Sequence, residues 1–325
     1  MTKKYLTIIF LSVLFTLLSS QKVSAENYGL SIYPPLLRIH IKPGKSITQV
    51  FKIENLSSTD KTLITSIIPF SESDNFGNPI LDPKTITPWL SYFSLANSQI
   101  KFNEPFNIAA GASEQLVLSI SIPEDALLTD IYATIIISTY ENSLTQSFQG
   151  SSIRATLGSN LLITINDQAY PDTILKIENF YPLDNNYLKV GNLYFVDSIT
   201  PIKFTALVSN EGNFSAETKG VFRVSTSNNK PIYLDGVLPV NVIAKSRRAI
   251  LSIDGNNFEY TPSLSNIGPH QITLEIKTDN SNTSTTIEVF FFPLKLSLGL
   301  FLTLLIIVSV LVITSKSSRK SIDTQ

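Results

Sequence analysis

Several short fragments carry residue types found in catalytic sites, but none has the spacing that the chemistry requires. Ser58-Thr-Asp-Lys61 fits S-x-x-K and Ser73-Asp-Asn75 fits S-D-N, two motifs of serine-nucleophile enzymes that act on penicillins. No K-T-G follows them, and no helical pattern is present to carry the nucleophile. Pro43-Gly-Lys-Ser46 ends like a phosphate-binding loop, but that loop requires Gly where this chain has Ile39. The fragments therefore predict neither a serine nucleophile nor a nucleotide site.

Metal and acid–base chemistry has equally little support. The only histidines, His40 and His270, lie far apart on predicted strands, and the chain has no cysteine. Glu72, Asp74 and Asp82 share one loop and could contact calcium or serve a hydrolase, but no D-x-[DN]-x-[DN]-G series accompanies them. We therefore predict a protein that is not an enzyme and has no metal and no cofactor. A surface hydrolase that uses these three acids is the weaker alternative.

The longest irregular stretch, residues 71–88, contains three prolines and precedes Trp89, the single tryptophan. Binding residues are often found on loops. The candidate binding loop therefore comprises Asp74, Asn75, Phe76, Asn78 and Trp89. The alternative is a solvated hairpin whose Trp89 closes one end of the domain.

Alternating apolar and polar residues indicate two successive series of β-strands, at 29–165 and 174–292. No window of 12 or more residues in the first series has helical periodicity, and turn-forming pairs such as Pro43-Gly44 separate its strands. The pattern predicts an all-β fold of two tandem immunoglobulin-like β-sandwich domains, at 26–168 and 169–292. A net charge of −1 gives no bulk attraction to nucleic acid, so no nucleic-acid partner is expected.

The two series share features in the same order, which suggests one topology used twice. Phe51-Lys-Ile-Glu-Asn55 has a counterpart in 204–210, and Ser113 has a counterpart in Ser246. Tyr132 opens the penultimate strand of the first series, where immunoglobulin-like domains often place a Tyr that ties a corner to the backbone. His270 is predicted to hold the matching place in the second series.

Both ends of the chain predict a membrane protein. Residues 1–25 have the basic, apolar and small-residue parts of a secretory signal peptide, with cleavage after Ala25. Residues 293–314 are long and apolar enough to span a bilayer. Aromatic residues before this span and basic residues after it predict a type I, single-pass protein with an extracytoplasmic ectodomain and a cytoplasmic tail at 315–325. The predicted membrane-interface residues are Phe290, Phe291, Phe292, Lys316, Arg319 and Lys320.

This arrangement resembles the WxL-interacting proteins of Gram-positive bacterial surfaces. The similarity lies in Lys42-Pro-Gly44 before Phe51-x-Ile-x-Asn55, and in Ile122-Pro123 before Ile131-Tyr-Ala133. The resemblance implies two immunoglobulin-like domains, the first binding peptidoglycan and the second a protein partner or host.

The function predicted on these grounds is a non-catalytic bacterial cell-surface protein in the cell membrane. Its β-sandwich ectodomain binds a cell-wall polymer such as peptidoglycan, or another surface protein. The alternative is an extracytoplasmic assembly factor or chaperone that holds a secreted subunit by adding a strand to a sheet. Pilus chaperones have a similar opening and strand pattern, although they carry no membrane anchor.

Overall fold

The computed structural model describes residues 29–140, 155–168, 171–183 and 187–322, and only the backbone of 313–322. The predicted signal peptide at 1–25 lies outside these ranges. The described chain forms two immunoglobulin-like β-sandwich domains followed by one long helix. The all-β prediction is confirmed.

The described part of the first domain forms ten strands, each bounded by turns or loops. They are β1 (Leu30–Tyr33), β2 (Leu36–Ile41), β3 (Ser46–Asn55), β4 (Lys61–Ser73), β5 (Pro79–Leu81), β6 (Phe93–Leu95), β7 (Pro105–Ile108), β8 (Ser113–Ser121), β9 (Thr129–Thr139) and β10 (Thr156–Ile165). One sheet has the order β1-β3-β8-β6; the other has the order β2-β10-β9-β4-β5, with β7 also paired to β4. The N-terminal strand changes sheets, because β1 pairs antiparallel with β3 whereas β2 pairs parallel with β10.

The alternation seen in the sequence sets which side chains fill this core. In β3, Phe51 and Ile53 point inward and are fully buried, whereas Val50 and Lys52 point to solvent. The first core extends from Ile39 to Ile165 along the chain. A 3₁₀-helix at Pro88–Tyr92 lies against it.

The second domain repeats the scheme with eleven strands in its described residues. They are β11 (Leu175–Pro182), β12 (Tyr187–Val190), β13 (Leu193–Asp197), β14 (Ile202–Asn210), β15 (Ala216–Thr226), β16 (Pro231–Gly236), β17 (Val240–Val242), β18 (Arg247–Ile250), β19 (Phe258–Tyr260), β20 (Gly268–Lys277) and β21 (Asn282–Phe292). One sheet has the order β11-β14-β18, with β19 on β14; the other has the order β12-β13-β21-β20-β15-β16, with β17 on β15. Phe222 and Phe258 stack in its core with ring centroids 4.9 Å apart.

The two domains share their strand scheme, but one sequence match is shifted by a residue. In both domains the first strand pairs antiparallel with the next long strand, and a later segment pairs parallel with the last strand. The amide of Asn55 donates to the carbonyl of Ala112, and the amide of Asn210 donates to that of Ser246. Ser246 therefore corresponds to Ala112 rather than to Ser113.

Tyr132 and His270 do not hold matching places. Tyr132 lies on the outer face of β9, whereas His270 faces the second core, with its ring 4.7 Å from that of Phe291. The shift is one residue, and successive residues of a strand point to opposite faces. The counterpart of His270 is thus the inward-facing Ile131.

A single residue, Pro293, separates the end of β21 from the C-terminal helix α1 (Leu294–Ile322). Its segment Leu294–Val312 is long and apolar enough to cross a membrane, and none of that segment is buried against the domains. The predicted span at 293–314 overlaps this segment. Helical backbone continues to Ile322, through most of the segment predicted as a short tail at 315–325. The predicted domain boundary at 168/169 stays a prediction, since residue 169 lies outside the described ranges.

Candidate functional site

The candidate binding loop reaches across to the second domain. The carbonyl oxygen of Asn75 accepts a hydrogen bond of 2.6 Å from the backbone N–H of Ala249, on β18. The loop tip is held in shape by Asp74, whose carboxylate accepts hydrogen bonds from the amides of Phe76 and Asn78. The Asn78 side chain also donates to this carboxylate, at 2.8 Å. That bond is the largest cause of the lowered pKa of the Asp74 carboxyl, and the backbone bonds lower the pKa further. The loop therefore connects the two domains, while the Phe76 ring remains exposed.

Arg248 of the second domain lies against Gly77 of this loop. Gly77 has a φ of +83°, and a Cβ atom built there would lie 2.3 Å from the Arg248 guanidinium carbon. The Arg248 Nη1 atom donates to the carbonyl oxygen of Asn241 at 2.7 Å. Burial lowers the pKa of Arg248, and the nearby Asp74 carboxylate opposes that shift. Glycine is thus needed both for the backbone conformation and for the approach of Arg248.

We expect Gly77→Ala to loosen the docking of the loop on the second domain. The added methyl group would strain the positive φ and displace the Arg248 guanidinium. Gly255→Ala is the matched control, since Gly255 has a φ of +82° with nothing within 4 Å of its Cβ position. Hydrogen exchange at the Ala249 amide, which donates to Asn75, should be roughly tenfold faster in Gly77→Ala than in Gly255→Ala. Equal rates in the two variants would contradict the Arg248 contact.

A small apolar cluster fills the junction between the domains. Phe70, Tyr132 and Leu162 of the first domain pack with Ile243 of the second, and all four are buried. The rings of Phe70 and Tyr132 stack with centroids 5.6 Å apart. Phe70, Tyr132 and Leu162 lie on the outer face of the first sandwich, and Ile243 of the second domain packs over them.

The Tyr132 hydroxyl connects the two domains at the centre of this cluster. It donates to the Asp130 carboxylate at 2.6 Å and accepts from the backbone N–H of Ala244 at 3.0 Å. The same carboxylate oxygen of Asp130 accepts from the N–H of Ser215 at 2.5 Å. Burial raises the pKa of Tyr132 far above its ordinary value, and the charge of Asp130 raises it further. Tyr132 ties the first domain to the backbone of the second, not to a corner of its own domain as the sequence predicts.

A cleft of about 520 Å³ opens beside this junction, with Glu72, Asp82, Trp89 and Lys245 among its lining residues. The Trp89 ring packs edge-on against Phe93 with centroids 6.1 Å apart. The Asp82 carboxylate accepts from the Thr85 hydroxyl and the Lys84 amide, and these bonds lower its pKa.

The arrangement of the three loop acids gives no support to the hydrolase alternative. The carboxylates of Asp74 and Asp82 are each bonded within their own turns. Within the described ranges, no group of three or more acidic or histidine residues is placed to hold a metal ion. Only Glu72 and Asp82 of the three line the cleft.

Among the described residues, one edge of the first domain is open over part of its length. Strand β10 pairs with β9 from Thr156 onward, but its pairing with β2 begins only at Asn160. The amide of Asn160 donates to Pro35 on the β2 side, and the carbonyl of Ala155 accepts from Thr139 on the β9 side. Because these directions alternate along a strand, the N–H and C=O groups of Thr156 and Gly158 point to the open side. Within the described residues, no strand covers this side of 156–159.

The predicted aromatic belt is only partly available to a membrane. Phe290, Phe291 and Phe292 form the end of β21, so successive rings point to opposite faces. Phe291 is fully buried in the second core and therefore cannot face lipid, which corrects that part of the prediction. The ring centroids of Phe290 and Phe195 are 5.4 Å apart, and the Phe292 side chain is partly exposed. The side chains of the predicted basic residues Lys316, Arg319 and Lys320 lie outside the described residues.

Comparison with known proteins gives matches among solved structures alone. No protein-family model matches the chain, and no curated protein matches it. The chain is similar to the class 5 fimbriae chaperone CfaA at 11% identity and a TM-score of 0.37, covering 80% of this chain and 99% of that one. It is similar to a CsuC–CsuE chaperone–tip adhesion subunit pre-assembly complex from Acinetobacter baumannii at 10% identity and a TM-score of 0.36, covering 70% and 92%. It is also similar to a PapD-like domain of human CEP192 at 12% identity and a TM-score of 0.30, covering 43% and 87%.

Proposed function

We propose that the protein is a non-catalytic, membrane-anchored binding protein that holds an extended segment of an exported protein at the open edge of β10. The observation that carries the proposal is the pair of outward-facing backbone groups at Thr156 and Gly158, beside which β2 has not yet begun. An extended peptide can satisfy such groups by adding a strand to the sheet. This proposal favours the assembly-factor alternative over binding of a cell-wall polymer.

The surroundings of the open edge suit a peptide with apolar side chains. Tyr33 and Leu36 lie where the chain crosses between sheets, and both side chains are exposed. The Ser159 hydroxyl donates to the carbonyl of Pro34, which fixes this crossing next to the gap. Backbone pairing would supply affinity, and these two side chains would contact alternate residues of the added strand.

The location of the protein is part of the same proposal. We place α1 across the cell membrane, with the two sandwiches outside and the C-terminus in the cytoplasm. Support comes from the apolar segment Leu294–Val312, and from the signal-peptide pattern at 1–25 and the basic residues after the span. The resemblance to WxL-interacting proteins and the binding of peptidoglycan stay predictions.

The test removes one outward-facing donor. A photo-crosslinking residue at position 156 of the full chain identifies the exported partner, and a synthetic peptide of the crosslinked segment then serves for affinity measurements. We expect Thr156→Pro to weaken peptide binding at least tenfold, because proline has no N–H to donate and is tolerated at a sheet edge. Thr156→Ala is the control: it keeps the N–H and should bind within twofold of the original chain.

Hydrogen exchange distinguishes strand addition from contact with the side chains alone. On peptide binding, the amides of Thr156 and Gly158 should become protected, whereas the Leu157 amide, which points towards β9, should change little. Equal affinity of Thr156→Pro and Thr156→Ala for the peptide would overturn the proposal.

A further inference from the structure

We propose that the end of the second domain nearest α1 lies in the headgroup layer of a lipid bilayer, which it contacts through the exposed side chains of Ile199, Ile267 and Phe292. The domain would then stand against the membrane instead of moving on a linker. This inference rests on the proposed insertion of α1, and it adds a lipid-binding surface that lies outside the helix.

Strand register places the three side chains together. Sheet order puts β13 on one side of β21 and β20 on the other. The amide of Ser198 donates to the carbonyl of Phe292, so Ile199 follows directly beside the end of β21. Gly268 pairs with Phe291, which brings Ile267 to the same end on the other side. Since neighbouring strands are roughly 4.8 Å apart, the three residues form one short row.

All three side chains are exposed although they are apolar: Ile199 by 45%, Ile267 by 47% and Phe292 by 37%. Aromatic and aliphatic side chains at one end of a domain are the kind that bury into a membrane interface. The row continues directly into the apolar surface of α1, so the occupant that fits it is the lipid around that helix.

The short connection leaves the domain no room to stand away from the bilayer. Only Pro293 separates the end of β21 from the start of α1. Two residue steps, from Phe292 to Leu294, reach roughly 7 Å at most. The headgroup layer on each side of a bilayer is roughly 5–8 Å thick. If the hydrocarbon begins near Leu294, Phe292 and its neighbours must lie within this layer.

Contacts at the start of the helix fix the direction in which it leaves the domain. The Lys295 ammonium lies 3.7 Å from a carboxylate oxygen of Asp197, a side chain only 2% exposed. The Ser297 amide donates to the carbonyl of Pro293 at 2.9 Å, so the helical backbone starts without a flexible turn. None of the span is buried against the domains, so α1 extends away from them. Lys295 thus pairs with the second domain at the point where the helix leaves it.

The test uses single nitroxide labels, which is straightforward because the chain has no cysteine. Ile199→Cys and Ile267→Cys are labelled in the full chain reconstituted into phosphatidylcholine–phosphatidylglycerol vesicles. Power saturation then compares collisions with oxygen, which concentrates in lipid, and with a water-soluble nickel chelate. We expect the oxygen-to-nickel ratio at both positions to be at least threefold higher than at Leu234→Cys.

Two reference labels make the outcomes distinguishable. Leu234 is also exposed and apolar, but through Arg223 and Thr273 it aligns with Thr286, six residues before Phe292 and roughly 20 Å from the end. Leu304→Cys, within α1, reports whether the helix itself is in hydrocarbon. If Leu304 is in lipid but the ratios at Ile199 and Ile267 equal that at Leu234, α1 spans the bilayer and the domain does not contact the headgroup layer. This result would overturn the proposed headgroup contact.

Two other outcomes would also overturn the proposed contact with the headgroup layer. Shielding of Ile199 and Ile267 from both reagents would mean that a protein surface covers them. Exposure of Leu304 to the nickel chelate would mean that α1 does not cross the bilayer, which would overturn the headgroup contact as well.

Discussion

Replacing Asn55 with alanine is expected to lower the free energy of unfolding of the first domain by about 2–4 kcal/mol. The Asn55 side chain is fully buried at the end of β3. Its amide nitrogen donates to the carbonyl oxygens of Thr59, Ile108 and Ala109, and its oxygen accepts from the amide and hydroxyl of Ser57. Alanine would leave several of these groups buried without partners, each at a cost of about 1–3 kcal/mol. Partial entry of water keeps the total below their sum.

The measurement is urea unfolding of the detergent-solubilised chain, followed by two signals. Trp89 is the single tryptophan and packs in the first domain, so its fluorescence reports on that domain. Circular dichroism reports on both domains. Asn107→Ala is the control, since Asn107 is exposed on neighbouring β7 and should change stability by about 0.5 kcal/mol or less.

The second domain offers an internal counterpart. Asn210 donates to the carbonyls of Phe214 and Val242 and accepts from the amide of Gly212. Asn210→Ala should therefore destabilise the second domain by a similar amount, with a smaller change in the Trp89 transition than Asn55→Ala produces. If Asn55→Ala unfolds at the same urea concentration as Asn107→Ala, these bonds do not contribute as proposed.

The two asparagines also show how much of the fold the sequence could predict. Alternation located β3 and its inward face, because burial of Phe51 and Ile53 requires a period of two. The similarity between 51–55 and 204–210 is also visible in the sequence, since each of these strands ends in an asparagine. The sequence does not show that Ser246 corresponds to Ala112 instead of Ser113, because the order of the shared features along the chain is the same in either register. Only the hydrogen bonds across each sheet fix that register.

The candidate site was less predictable, for a physical reason. A contact such as that between Asn75 and Ala249 joins residues from different domains, and local periodicity carries no information about which loops meet. Trp89 both packs against Phe93 and lines the cleft, so its two interpretations stay predictions. The open edge of β10 was invisible for a similar reason: it depends on where β2 begins beside it.

These contacts join the proposed binding edge to the membrane. Phe292 and Lys295 attach α1 to the second domain. The cluster around Tyr132 and the Asn75 contact then attach the second domain to the first. A partner strand bound at β10 would therefore be held at a set height above the bilayer, provided that the junction between the domains is stiff. Tyr132 lies at the centre of that junction, with a hydrogen bond to the backbone of the second domain.

Removing the Tyr132 hydroxyl is expected to destabilise this junction by about 1–3 kcal/mol. In Tyr132→Phe the ring remains to stack on Phe70, but the Ala244 amide loses its acceptor and Asp130 loses a donor. Urea unfolding of the full chain measures the loss at pH 8. Tyr33→Phe is the control, since the Tyr33 ring is exposed, and it should change stability by about 0.5 kcal/mol or less.

The pH dependence of this difference identifies its source. The pKa of Tyr132 is raised in the folded chain, so the folded state keeps its proton at pH values where the unfolded state, with a pKa of roughly 10, releases it. The contribution of the hydroxyl is therefore fully present below pH 10 and decreases above it, by about 1.4 kcal/mol per pH unit. Tyr132→Phe cannot show this decrease, and the two unfolding free energies should converge between pH 10 and pH 11. Parallel curves up to pH 11 would mean that the folded chain does not raise the pKa of Tyr132, and equal unfolding free energies at pH 8 would mean that the hydroxyl does not hold the domains together.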